Sequence, residues 1–243
     1  MTKLFSAHII GNALLLLLGY YWLGLGESDG LHLAFSAAII LLFTLGTLCL
    51  HGTSLVQFRE QSTFAAAARR TLKSIAPLFV LGIAVVLVYI ALNYFYNSFG
   101  HEAFNIGSYS TMKLRRPVEP TKVLTAFHVI IWILQWFVVP ILALPLAAEV
   151  ANRGWAAFTP AAFHRSKKIL FWIEAGVILV AATHLPLHLF FWIPKMSSFS
   201  LEVISVTVRI GLGYLLFTAG LLAVEYFAAG HPAQHGTFAV TTD

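Results

Sequence analysis

The sequence predicts an all-α integral membrane protein with six transmembrane helices. Three observations predict it. Only 10% of the residues are charged while 59% are hydrophobic, against about 25% charged in a soluble domain. Six stretches are apolar enough and long enough to cross a bilayer core, which takes about 20 residues of helix. Lys and Arg are shared unequally between the two sets of connections. Disorder is excluded, because 20 Phe, 8 Tyr and 6 Trp are more apolar mass than a non-collapsing chain carries.

The spans are expected at 5–25, 31–51, 75–97, 123–147, 168–193 and 203–228. The first follows Lys3 as a signal peptide would, but it outruns an apolar signal core of about 7–15 residues and contains His8 and Asn12. It is expected to be retained. Tyr20, Tyr21 and Trp22 mark its outer end, as Tyr94, Phe95 and Tyr96 mark that of the third span and Phe191 and Trp192 that of the fifth; amphipathic rings favour the headgroup boundary. The fourth span carries Gln135 near its middle, then Pro140 and Pro145, which predict static kinks. In the fifth, Pro186 lies between His184 and His188.

Nine basic residues fall on one side (Lys3, Arg59, Arg69, Arg70, Lys73, Arg153, Arg165, Lys167, Lys168) and five on the other (Lys113, Arg115, Arg116, Lys122, Lys195). The nine-charge side is expected to be cytoplasmic, with both termini inside and the Glu27/Asp29 turn and the 98–120 loop outside. Lys113, Arg115 and Arg116 depart from that rule, either as an ordinary exception or as a lip for anionic lipid or a partner. The expected compartment is the plasma membrane. The expected domain is one transmembrane unit over 1–229 with a short cytoplasmic tail, 230–243, in which His231 and His235 meet solvent.

At an offset of 94, Phe64, Ala67, Ala68, Lys73, Ile75 and Gly82 match Phe158, Ala161, Ala162, Lys167, Ile169 and Gly176. This predicts a parallel hairpin repeat, 64–147 and 158–229. Segments 55–73 and 155–167 read as short amphipathic cytoplasmic helices preceding spans 3 and 5, with Phe and Ala in the acyl boundary and Arg and Lys toward anionic lipid. Pro160 suits the first turn of the second such helix. Anionic lipid also explains the basic balance better than nucleic acid, since no soluble module presents the charges.

Ionisable side chains inside the spans are the candidate ligand-binding residues, because each costs a few kcal/mol in hydrocarbon unless partnered or wet. An outer set is His128, His184, His188 and Arg209. Three readings of its histidines stand open: hydrogen bonding between helices, a divalent metal on His184 and His188, or haem b clamped by His128 with His184 or His188. Two histidines on one helix face cannot occupy both sides of one haem. Arg209 either snorkels to the interface or holds an anionic ligand. An inner polar cluster is His8, Asn12, His51 and Glu174, with Glu149 and Glu225 near the same boundary. Glu174 is expected to be protonated or to pair with His8, Lys167 or Lys168.

A single Cys49 excludes a disulfide framework. The sequence cues for a zinc protease, redox dithiol, serine hydrolase or P-loop are missing. The expected function is therefore non-enzymatic: an accessory subunit of a membrane complex with partner subunits, or a small transporter of an anionic or lipid-like ligand. A haem-b electron-transfer subunit is the alternative.

Overall fold

A computed structural model describes residues 2–26 and 29–230. Glu27 of the expected outer turn and the expected tail from residue 231 onward lie outside these. Every regular element among the described residues is helical: α1 (Thr2–Leu23), α2 (Gly30–Glu60), α3 (Phe64–Lys73), α4 (Ile75–Ser98), α5 (Gly100–Leu114), α6 (Pro120–Ile133), α7 (Val139–Arg153), α8 (Ile169–Phe191) and α9 (Phe199–Ala229). A π turn, Leu134–Val138, separates α6 from α7. Among the described residues, six segments are long and apolar enough to cross a membrane: α1, α2, α4, the run Pro120–Ala157, α8 and α9. Their outward side chains fit that solvent, with Leu17 63% and Val86 56% exposed. The protein is a multi-pass membrane protein in class.

The chain forms two units. The first comprises the described residues up to Phe79 and from Leu144 to Gly230, the second Val80–Ala143. In the first, α9 packs on α8, α2 and α1, and α2 also packs on α1 and α3. Without a hydrophobic drive between helices in lipid, close backbone approach does the work, and small residues permit it. A Cβ on Gly220 of α9 would lie 2.8 Å from both Cα and Cβ of Ala182 in α8 and 3.1 Å from the Ala182 carbonyl oxygen. Ala182 lies four residues before Pro186, which has no N–H to give that carbonyl. The bare Gly220 backbone therefore packs where proline has opened the ladder of α8. Gly52 of α2 meets α3 in the same way, since a Cβ there would lie 2.6 Å from Thr71 Cγ2. Leu55, Ala148 and Ala228 bury a small core between α2, α7 and α9.

Polar ties fix the ends of these helices. Asp29 caps α2 by accepting from the His32 backbone N–H at 2.9 Å, and its other oxygen meets His32 Nδ1 at 2.8 Å. The backbone bond first, then the ring, hold the Asp29 carboxyl below the usual carboxylate range. Trp22 Nε1 donates to Ser36 Oγ at 2.8 Å, joining α1 to α2. Arg59 pairs with Glu149 at 2.7 Å, and Arg70 pairs with Glu60. Gly154, at φ 58°, ends α7 in the left-handed conformation that glycine adopts without a Cβ penalty.

In the second unit α5 packs on α6, with Gly107 against Pro120 and the Phe99 and Phe127 rings stacked at 3.6 Å. The expected static kink at Pro140 takes the form of the π turn. The Val139 N–H reaches back to the Leu134 carbonyl, and the next residue, Pro140, has no N–H. The Gln135 carbonyl is thereby left without a backbone donor, and Tyr89 Oη supplies one at 2.6 Å. Tyr89→Phe removes it. Polar pairs in membranes are worth about 0.6 kcal/mol on average, but a carbonyl with no alternative donor sits at the upper end, so a loss of about 1–2 kcal/mol is expected in denaturant unfolding. An unchanged midpoint would show that another donor takes over.

Three expectations are revised. The 98–120 loop contains a 15-residue helix, α5. The second span does not stop at His51 but runs on to Glu60, so only α3 forms a separate helix before the third span. The segment before the fifth span is three short 3-10 turns, Gly154–Ala157, Pro160–Phe163 and Arg165–Lys167, not one helix; Pro160 and the left-handed Gly154 break it up.

Candidate functional site

Three helices of the first unit, α1, α2 and α9, bring together His8, His51 and Glu225. The register of α1 against α2 sets the imidazoles side by side. Gly11 lies against the Leu50 side chain, Gly46 against Leu15, and Trp22 bonds to Ser36. With the helices so meshed, the His8 and His51 rings meet edge to face at 5.3 Å. Glu225 enters from α9, where Ala228 packs on the same core as Leu55 of α2.

The Glu225 carboxylate is the hub. One oxygen, Oε1, is hydrogen-bonded to His51 Nδ1. The other, Oε2, accepts from Ser54 Oγ and stands 3.9 Å from His8 Nε2. Ser54 also lies 2.8 Å from the His51 carbonyl, three residues back along α2. His8 and Ser54 are fully buried and Glu225 is 3% exposed, while His51 is half-buried. Neither ring nitrogen of His8 has a hydrogen-bond partner among the described residues. That is the unusual feature of the site, since buried polar atoms are almost always paired.

Further buried polar groups adjoin the cluster along the same helices. Asn12 follows His8 by one turn with its Nδ2 unpartnered among the described residues, and Thr218 precedes Glu225 by two turns with its Oγ1 likewise unpartnered. Tyr214 Oη donates to the Ile9 carbonyl. An apolar crevice lined by Leu4, Phe5, Phe58, Leu222 and Tyr226 opens among the same three helices.

Of the expected inner cluster, His8, Asn12 and His51 lie on the interior faces of α1 and α2. Glu174 does not join them; it is exposed on α8, and the carboxylate facing His8 is that of Glu225. Glu149 pairs with Arg59 and lies 3.9 Å from Arg153. Sequence reasoning misses Ser54. Its signal is weak but present: it lies three residues from His51, hence on the same face of α2.

The residues of the outer set fall in both units: Arg209, His184 and His188 in the first, His128 in the second. Arg209 donates through its guanidinium to the Trp192 carbonyl and, from Nε, to the Ser205 carbonyl at 3.3 Å. Trp192 is the C-cap of α8, so the cation sits where orphan helix carbonyls and the helix dipole favour it. His184 and His188 are exposed on α8, their rings 6.1 Å apart. His128 belongs to the second unit, stacked on Tyr96 at 3.9 Å with its Nε2 3.3 Å from the Tyr96 carbonyl. Coordinating haem through Nε2 would require that contact to be given up.

Comparisons with protein-family models, with curated proteins and with solved structures find no match to this chain.

Proposed function

We propose that the protein is a small non-enzymatic transporter, or the transport subunit of a larger membrane complex, whose cycle exchanges a cation or proton at His8, His51 and Glu225. One observation carries this reading: a carboxylate and two imidazoles are gathered inside a membrane bundle, one imidazole fully buried and without a hydrogen bond among the described residues. An intramembrane ionisable group costs a few kcal/mol, and interhelical adhesion alone is obtained more cheaply with Ser, Thr or Asn. Three titratable groups around one point suit a site that changes its proton content. The cluster supports this better than Arg209 supports an anionic or lipid-like ligand, because that guanidinium already serves two carbonyls.

In this reading both termini are cytoplasmic in the plasma membrane, following the distribution of Lys and Arg. The exposed Arg69, Arg70 and Lys73 of α3 lie along anionic lipid while Ala67 and Thr71 face the protein. Sequence identities alone support the repeat of 64–147 with 158–229.

The test is proton movement into vesicles holding the purified protein, with a pH-reporting dye inside and the voltage clamped by potassium and valinomycin. Wild type and Arg209→Gln should dissipate an imposed pH step. Glu225→Gln, nearly isosteric and able to keep both hydrogen bonds, should not. Wild-type vesicles as tight as protein-free ones would refute the reading.

A further inference from the structure

His8, His51 and Glu225 each offer a ligand atom, and these atoms all lie within 4.8 Å of one another. We propose that they bind a first-row divalent transition-metal ion of the zinc class, which deepens the transport reading by naming the cation. Two imidazoles and a carboxylate form a borderline-soft donor set. It suits zinc and its neighbours, whereas magnesium and calcium take oxygen ligands.

The dimensions fit. Zinc bonds of about 2.0–2.2 Å place tetrahedral ligand atoms roughly 3.3–3.5 Å apart. His8 Nε2 and Glu225 Oε2 are already at 3.9 Å, so small side-chain rotations close that edge. The metal replaces the direct contact between His51 Nδ1 and Glu225, leaving a fourth position for water or cargo exchange. It also gives the fully buried His8 ring a partner where it makes no hydrogen bond among the described residues. Ser54, bonded to the carboxylate, orients it from outside the ligand set.

The arrangement supplies a coupling. The metal takes a lone pair from each imidazole and from the carboxylate, so a proton held on Glu225 or on an imidazolium must leave for water as the ion enters. The groups facing one another here are His8 from α1, His51 from α2 and Glu225 from α9. Of the nearby charges on or beside these helices, Arg59 is paired with Glu149 and Glu60 with Arg70.

The experiment uses the full chain, chelator-stripped and held in lipid nanodiscs. Zinc is titrated against a chromophoric chelator, and cobalt is added in parallel for its ligand-field spectrum. One zinc per chain is expected, with proton release and a tetrahedral cobalt spectrum. Since loss of an outer-shell partner alone weakens metal sites about 10- to 100-fold, Ser54→Ala should fall in that range, and His8→Gln and Glu225→Gln should exceed it. The exposed pair on α8 is the control: His184→Ala with His188→Ala should leave affinity unchanged. Wild type that binds no zinc, gives only octahedral cobalt, or loses its zinc with the α8 pair would overturn the proposal without recourse to a variant that folds poorly. If zinc does not bind while proton flux still depends on Glu225, the metal assignment fails and the transport reading stands. If zinc binds at the cluster in vesicles that move no protons, the reverse holds.

Discussion

Replacing Gly220 by alanine is expected to destabilise the α8–α9 pair by about 2–3 kcal/mol, the upper part of the range for overpacking a close contact. The new methyl would meet the backbone of Ala182, Cα at 2.8 Å and the carbonyl oxygen at 3.1 Å. Neither atom can rotate away, so the helices themselves must separate. Gly213 is more forgiving, because its 2.8 Å neighbours belong to the Phe190 ring, which can turn. Gly211, with nothing within 4 Å of its would-be Cβ, is the internal control. There alanine should be neutral or stabilising by up to about 1 kcal/mol through its better helix propensity. Unfolding in mixed micelles with increasing ionic detergent measures all three. Equal midpoints for Gly220→Ala and Gly211→Ala would show that the helices do not approach so closely.

The second large effect is expected at Glu225. Glu225→Ala removes the carboxylate bonded to His51 and one of the two oxygens that Ser54 meets, and opens a cavity beside His8. At roughly 1–3 kcal/mol for the orphaned His51 nitrogen and about 1–2 kcal/mol more for the cavity, a loss of about 2–5 kcal/mol follows. Glu225→Gln should lose far less, because the amide can still donate to one neighbour and accept from the other. Ser54→Ala added to Glu225→Ala should be clearly sub-additive, by about 1 kcal/mol, as both changes remove one bond. Strict additivity in the same unfolding measurement would mean that Ser54 and Glu225 do not touch.

Much of the architecture is legible in the sequence because the bilayer constrains it so strongly. A 20-residue apolar run can satisfy its backbone there only as a helix, so the positions of six spans follow from hydropathy. Their ends are less legible. The Gly52–Val56 stretch is polar enough to suggest an interface, yet α2 continues through it because α3 covers Gly52 and Thr53 to Val56 are buried. Segment 98–120 lacks an apolar period long enough to suggest α5, which is held instead by Gly107 meeting Pro120. For the site, His8, Asn12 and His51 can be grouped by depth alone. Choosing between Glu174 and Glu225 as their carboxylate needs the rotation of α8 and α9 about their axes, and helices apolar on all sides carry little record of rotation. The partner of Arg209 is equally hard to read, because the carbonyl it serves, that of Trp192, is 17 residues away at the end of another helix.

The contact between His51 and Glu225 is the joint on which the stability, transport and metal readings all turn. Solid-state NMR on the protein in lipid bilayers, with imidazole nitrogens and carboxyl carbons labelled, reads it directly. A dipolar correlation between His51 Nδ1 and the Glu225 carboxyl carbon, lost in Glu225→Ala and kept in Glu174→Ala, is the predicted result. A His51 signal correlated with no carboxyl carbon, or one that vanishes with Glu174, would contradict it.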